Sequence, residues 1–384
     1  MQQRSFLYAT RWIACFFLAI TMLAACGENS TPTSIQPTLV VNKTATYDVQ
    51  SIFKLEAGNQ QFSGTVLLVE KGHVLIRKAY GLADGAHGIF NQPETKFRIN
   101  RLSRQFTAMA VVKLQQQGRL HIKDTLCSYL ANCPSSWQAI TIEQALELTA
   151  GIPNYTATSD YTQRSATPTT PTDYVTRLQS LPLDFQPGTR IGMNSSAYIV
   201  LGAIIEKVTG DTYAHVLQRT VLDPLGLTHT GYDLNTQPVA ERAVGSNGLT
   251  TSDAVDVSEL YADQGLYSTI DDLYKWDQEL INPPPADKLL VDEVMPHKDY
   301  CKIFQCGTRF KPGSASLGYG LTSNLSPANR TVIGYRQSFG GFAVLNQIYP
   351  EEKVMFIALS NKEQGLDFLD ANTVEQVLFP SSNN

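Results

Sequence analysis

The order of apolar and polar positions divides the chain into β-rich ends and a helical middle. Near the start of the folded part, GTVLLVEKG and HVLIRKAYG are β-rich runs separated at Lys71-Gly72, as in a hairpin. The period then changes. Within FRINRLSRQFTAMAVVKL, residues 97–114, Phe106, Met109, Ala110, Val112 and Leu114 recur near helical spacing, and Gly118 supplies a stop. Ser103 is the natural N-cap, because its hydroxyl can accept a free backbone N–H. TIEQALELTAG predicts a second helix with Thr141 as cap and Gly151 as terminator. Residues 155–187 are rich in Thr, Pro and Ser and predict long loops around a short helix. SSAYIVLGAIIEKVTG predicts a strongly apolar helix, and STIDDLYKWDQEL an amphipathic one capped by Ser268 or Thr269.

Towards the C-terminus the pattern returns to strands. RTVIGYRQ, GFAVLNQIYP and EKVMFIALSNK predict three in succession, with a turn at Pro350-Glu351-Glu352, before a final helix in DFLDANTVEQVLF. Strands at both ends around central helices predict an α+β fold. Both chain ends build one antiparallel sheet, about 47–100 and 326–384, flanked by helices. A large, mainly helical insertion occupies about 101–325. Sheet and insertion should face each other across a cleft.

The 384 residues are 43% hydrophobic and 17% charged, enough for one large domain or two smaller ones with a well-buried core. The net charge of -5 argues against a nucleic-acid partner, which needs a basic excess. The first residues lie outside this pattern. MQQRSFLYATR carries Arg4 and Arg11 and no acid, and the apolar run WIACFFLAITMLAAC follows. A basic head, a short apolar middle and a small-residue end predict an export signal over 1–25. LAAC followed by Gly27 resembles a bacterial lipobox, which implies acylation of Cys26; an ordinary cleaved signal with an incidental Cys26 is the alternative. A lipid on Cys26 makes the membrane a partner and the bacterial cell envelope the location, with the outer membrane favoured in a Gram-negative cell. Residues 26–46 predict a flexible tether and 47–384 the domain. Cys127 with Cys133, and Cys301 with Cys306, form close pairs. In an exported chain these favour disulfides, with zinc ligation the alternative. The six histidines show no metal spacing, and no cofactor is expected.

From Phe62 to Asn361, a series of segments resembles the serine β-lactamase/penicillin-binding-protein-like hydrolases, in the branch of class C β-lactamases, DD-carboxypeptidases and esterases. They include FSGTVLLVEKG, KAYGLAD, the 97–120 segment, ITIEQALELTAGIPNY, FQPGTR, AYIVLGAIIEKVTG, VLDPLGLTHTGY, GLYSTIDDLYKW, GYGL, GGFAVLNQIYP and IALSN, in the family's order. The resemblance implies three chemical motifs. Ser-x-x-Lys opens the long helix, Tyr-x-Asn precedes the next one, and His-x-Gly or Lys-Thr-Gly lies on an edge strand. Aligned by the frame, Arg101 stands at the nucleophile and Arg104 at the lysine. Met193 stands at the tyrosine and Ser195 at the asparagine. Tyr335-Arg336-Gln337 fills the third motif. Arginine serves as neither nucleophile nor base, and Met193 has no exchangeable proton. Ser103 lies about 200° around the helix from position 101, and the stray Ser51-x-x-Lys54 precedes the first strand.

Two function classes follow. The first is a non-catalytic envelope lipoprotein with a binding or scaffolding role. Its candidate ligand-binding residues are Arg101, Arg104, Ser195, Tyr335 and Arg336, its ligand a peptidoglycan fragment or other small anion. Against ligand binding stands a blander reading, in which the arginines fill the cleft and pair with local acids. The second class is an active serine hydrolase using an unorthodox site.

Overall fold

A computed structural model describes residues 43–161, 165, 167–192, 195–234, 239–247, 256–299 and 315–380. Its centre is an antiparallel sheet of eight strands. In chain order the strands are β1 (Gly64–Glu70), β2 (His73–Tyr80), β3 (Leu82–Asp84), β4 (Ile89–Phe90), β5 (Phe97–Arg98), β6 (Gly231–Tyr232), β7 (Leu266–Ser268), β8 (Lys298–Asp299), β9 (Ala315–Leu317), β10 (Thr322–Leu325), β11 (Thr331–Phe339), β12 (Phe342–Tyr349) and β13 (Val354–Ser360). The large sheet runs β2-β1-β13-β12-β11-β10-β9-β8. β1 and β13 pair from Gly64↔Ser360 to Glu70↔Val354, so the two ends of the chain do build one sheet.

The alternation within β1 shows how both faces are used. Leu67 and Val69 point into the larger core, while Val66 and Leu68 point into a second core under helices Lys43–Gly58 and Ala371–Leu378. β12 divides likewise, with Val344 and Ile348 on one side and Leu345 and Tyr349 on the other. A sheet covered on both faces explains why these strands read as nearly unbroken apolar runs.

The structure changes several expectations. The sheet extends past the expected boundary, because β8, β9 and β10 belong to it rather than to the helical insertion. A helix runs Lys43–Gly58, across the expected junction between the tether (26–46) and the sheet part that starts near 47. Thr141 makes a full capping box with Gln144, but the helix ends at Leu146, well before Gly151. Gly151 sits instead in a loop at φ 73°, where an added Cβ would meet the Phe185 carbonyl oxygen at 2.1 Å. Thr269, not Ser268, caps helix Ile270–Ile281, accepting from the Asp272 N–H. The Cys127–Cys133 disulfide is formed, whereas Cys26, Cys301 and Cys306 lie outside the described residues. Among the described residues no helix is long and apolar enough to cross a membrane.

Candidate functional site

The cleft starts where β5 turns into helix Ser103–Gln116 through a single 3-10 turn, Asn100–Leu102. Asn100 occupies the left-handed region at φ 52°, which asparagine tolerates better than most residues. Its Nδ2 donates to the Phe342 carbonyl at 3.2 Å, fixing the turn to β12. Phe97, Ile99, Leu102 and Phe106 are fully buried and anchor the segment in the larger core. Phe106 stacks on Trp276 at 4.3 Å between centroids, and Trp276 Nε1 donates to Gln105 Oε1 at 2.7 Å.

Ser103 is not the N-cap. It is the first residue of the helix, and its hydroxyl donates to the Asn100 carbonyl at 2.6 Å and accepts from the Leu266 N–H at 3.2 Å. The preceding 3-10 turn supplies the carbonyl and β7 the N–H, so the hydroxyl ties the helix entry to β7.

The two arginines of this segment have different surroundings. Arg104 is 3% exposed; its Nε donates to Asp263 Oδ1 at 2.5 Å, and its guanidinium lies 5.2 Å from the Tyr198 ring centroid. Burial pulls the Arg104 guanidinium pKa down, but the Asp263 charge and hydrogen bond outweigh it and leave the pKa raised. Arg101 is at the mouth with 28% of its side chain exposed. Its Nη2 donates to the buried Ser195 Oγ at 3.3 Å, and its Nε stands 3.8 Å from Asp263 Oδ2. The Arg101 backbone N–H donates to Gln337 Oε1 at 3.0 Å.

Asp263 carries no signal in the sequence, yet it organises the site. It is fully buried on the short helix Tyr261–Gln264. Helix Ser196–Thr209 approaches that short helix at Gly202, where an added Cβ would lie 2.5 Å from Ala262 Cβ and from the Tyr261 ring. Gly202 therefore lets Asp263 sit close to Arg104 and Arg101. Its neighbour Gln264, equally unremarkable in sequence, accepts from Gln337 Nε2 at 3.3 Å.

β11 supplies the opposite wall. Tyr335 and Gln337 face the cleft, and Tyr335 O–H donates to Gln337 Oε1 at 2.8 Å. Burial pushes the Tyr335 phenol up to about 12, with the nearby Arg104 and Arg101 charges opposing the rise. Arg336 does not belong with them. Alternation along β11 sends it to the other face, where its guanidinium donates to the Leu366 carbonyl at 2.7 Å and to the Leu369 carbonyl. Met193 lies outside the described residues. The structure thus brings together Arg101, Arg104, Ser195, Tyr335 and Gln337, adds Asp263 and Gln264, and removes Arg336. Among the described residues no group of three or more His, Cys, Asp or Glu side chains is placed to hold a metal ion.

The chain belongs to the beta-lactamase family, which it matches across residues 49–378. It is 28% identical over 304 residues to a Bacillus subtilis protein named for penicillin binding, PbpX, covering 78% of this chain and 71% of that one. It is 26% identical over 305 residues to the Staphylococcus aureus protein flp, covering 77% of this chain but only 59% of that protein's length. The octameric penicillin-binding protein homologue from Pyrococcus abyssi superposes with a TM-score of 0.72 at 20% identity, covering 86% of this chain and 77% of that one. At that identity the likeness speaks for the fold.

Proposed function

We propose that this chain is a non-catalytic member of the beta-lactamase family, held at the bacterial envelope by a lipid on Cys26 and acting by binding or scaffolding. One observation carries the reading. The helix entry that the resemblance assigns to a serine nucleophile and a lysine holds Arg104 on Asp263 and places Arg101 3.8 Å from the same carboxylate, with the Arg101 N–H already taken by Gln337. A hydroxyl needs an adjacent base to act as a nucleophile near neutral pH. Ser195 Oγ instead receives a guanidinium donor from Arg101, the Asp263 carboxylate faces Arg104, and burial moves the Tyr335 phenol pKa further from neutrality rather than towards it.

Arg104 and Arg336 are engaged elsewhere, so an anion-binding role falls to Arg101, with Ser195 and Tyr335 beside it. A carboxylate-bearing peptidoglycan fragment has the chemistry for that position and lies in the proposed compartment. The names of PbpX and its like motivate the alternative, an active serine hydrolase. Incubating the purified chain with a labelled penicillin and with short-chain p-nitrophenyl esters decides between them. No covalent adduct and no turnover are expected. An adduct on any serine, or turnover abolished by Ser195→Ala, overturns the proposal.

A further inference from the structure

Gln337 meets the head of the cleft through three hydrogen bonds. Its Oε1 accepts from the Arg101 backbone N–H at 3.0 Å and from the Tyr335 hydroxyl at 2.8 Å, and its Nε2 donates to Gln264 Oε1 at 3.3 Å. Two donors converge on one oxygen of a carboxamide. Converging donors at this range are how a protein receives a carbonyl oxygen from a bound molecule. Here the oxygen in that position is the protein's own.

The surroundings suit an occupant that can be exchanged. Gln337 is half-buried on β11, while Gln264 behind it is 2% exposed and fixed. The residue that provides the N–H also extends a guanidinium to the mouth of the cleft. That guanidinium contacts Ser195 Oγ at 3.3 Å and stands 3.8 Å from Asp263, both long for a charged donor. Asp263 in turn makes its short contact with Arg104. A second carboxylate arriving from solvent could pair with Arg101 without disturbing the buried Arg104–Asp263 bond.

We propose that Gln337 is an internal occupant of the cleft, and that the molecule which displaces it is an acyl compound bearing a carboxylate. The carbonyl oxygen of the ligand takes the position of Gln337 Oε1 between Arg101 N–H and Tyr335 O–H, and its carboxylate pairs with the Arg101 guanidinium. This rests on the non-catalytic reading, because the ligand is held and no bond is broken. The side chain is tethered beside its own site and competes at high effective concentration. An uncharged acyl ligand only exchanges one carbonyl for another and gains little. An acyl carboxylate adds a charge-assisted hydrogen bond that the glutamine cannot offer. Gln337 thereby selects for charge as well as for a carbonyl.

N-acetylglycine and N-acetylglycinamide serve as probes, titrated into the purified chain and into its Gln337→Gly variant. Binding is followed by calorimetry and by the 15N–1H signal of the Arg101 amide. The Gln337→Gly variant should bind N-acetylglycine about tenfold more tightly than the parent, and N-acetylglycinamide about tenfold more weakly than N-acetylglycine. The Arg101 amide signal should move when Gln337 is removed and move back when N-acetylglycine binds. Gln337→Glu keeps an oxygen in place and should bind as weakly as the parent; Gln337→Ala replaces the glycine variant if glycine weakens β11. Equal affinity in parent and variant, equal affinity for the two probes, or an Arg101 signal that ignores the substitution overturns the proposal. Penicillin acylation is a separate readout: an adduct would sink the non-catalytic reading while leaving the displacement result standing or falling by itself.

Discussion

Two buried carboxylates each face two arginines, and they differ in how closed the arrangement is. Asp233 accepts from Arg98 Nε at 2.6 Å and from Arg242 Nη1, with the Arg98 side chain 3% exposed. Asp263 accepts from Arg104 Nε at 2.5 Å, but its second arginine, Arg101, stands off at 3.8 Å with 28% of its side chain in solvent. The first cluster joins β5 to the residue after β6, and both of its cations touch the carboxylate. It is a clamp within the scaffold. The second lies at the cleft and has one cation held and one left at the mouth. The same three charges make a structural tie in one place and an anion-accepting edge in the other, and the difference is the position of one guanidinium.

The strongest test of that comparison removes the carboxylates. Asp263→Asn leaves the Arg104 guanidinium buried without its counter-charge, and breaking such a pair costs about 3–5 kcal/mol. Asp233→Asn should cost at least as much, because two guanidiniums that bond it directly lose that charge. Replacing Arg104 and Asp263 together by Met and Leu should cost far less than Asp263→Asn alone, since a well-packed apolar pair often matches a buried ion pair. Urea midpoints at unchanged slope measure all three. A loss below about 1 kcal/mol for Asp263→Asn would mean that the pair does not hold the cleft together.

A third buried carboxylate sharpens the contrast because no arginine among the described residues pairs with it. Asp277 on helix Ile270–Ile281 is fully buried, and Asn346 Nδ2 donates to its Oδ1 at 2.9 Å. Among the described residues, the buried Asp277 Oδ2 and Asn346 Oδ1 have no hydrogen-bond partner, and a proton on Asp277 would supply the missing donor. Burial pushes the Asp277 carboxyl up to about 8, with the Asn346 hydrogen bond opposing the rise. The folded chain therefore holds a proton that the unfolded chain has released at neutral pH. The stability from this group is fully present below the unfolded value of about 4 and is lost as pH rises towards 8. From about pH 5 to pH 8 stability should fall by up to about 1.4 kcal/mol per pH unit from this group, and Asp277→Asn should remove that slope. Unfolding curves that keep the same pH slope in the variant would refute the assignment.

How far the sequence reveals this molecule depends on whether a feature is local or made by packing. The strands at both ends are legible because a doubly covered sheet demands apolar runs, as in GTVLLVE and VMFIALS. β8, β9 and β10 are not, because two to four residues of mixed polarity carry no period. Arg101 and Arg104 are legible because a frame of fold-determining residues surrounds them. Asp263 is invisible, since one acid in LYADQGLYS gains its role only from the close helix approach at Gly202. Arg336 cannot join the site for a simple reason: if Tyr335 and Gln337 face the cleft on a strand, the residue between them faces away. Ser103 reads as a cap because the 3-10 turn before it, which supplies its acceptor, and the distant β7 N–H, which supplies its donor, leave no mark in composition.

The smallest expected effect tests the open side of the comparison most directly. Arg101→Ala removes a partly exposed guanidinium whose nearest carboxylate contact is 3.8 Å, so its stability cost should stay below about 1 kcal/mol. Arg242→Ala deletes a direct partner of Asp233 and should cost about 2 kcal/mol, as for a hydrogen bond to a charged group. The backbone N–H at position 101 survives the alanine substitution, so Gln337 keeps its seat and the cleft its shape. In the Gln337→Gly background the same substitution should bring N-acetylglycine down to the affinity of N-acetylglycinamide, because only the charged half of the site has gone. A variant that loses both ligands together, or neither, would show that Arg101 belongs to the clamp after all and that the two clusters do the same work.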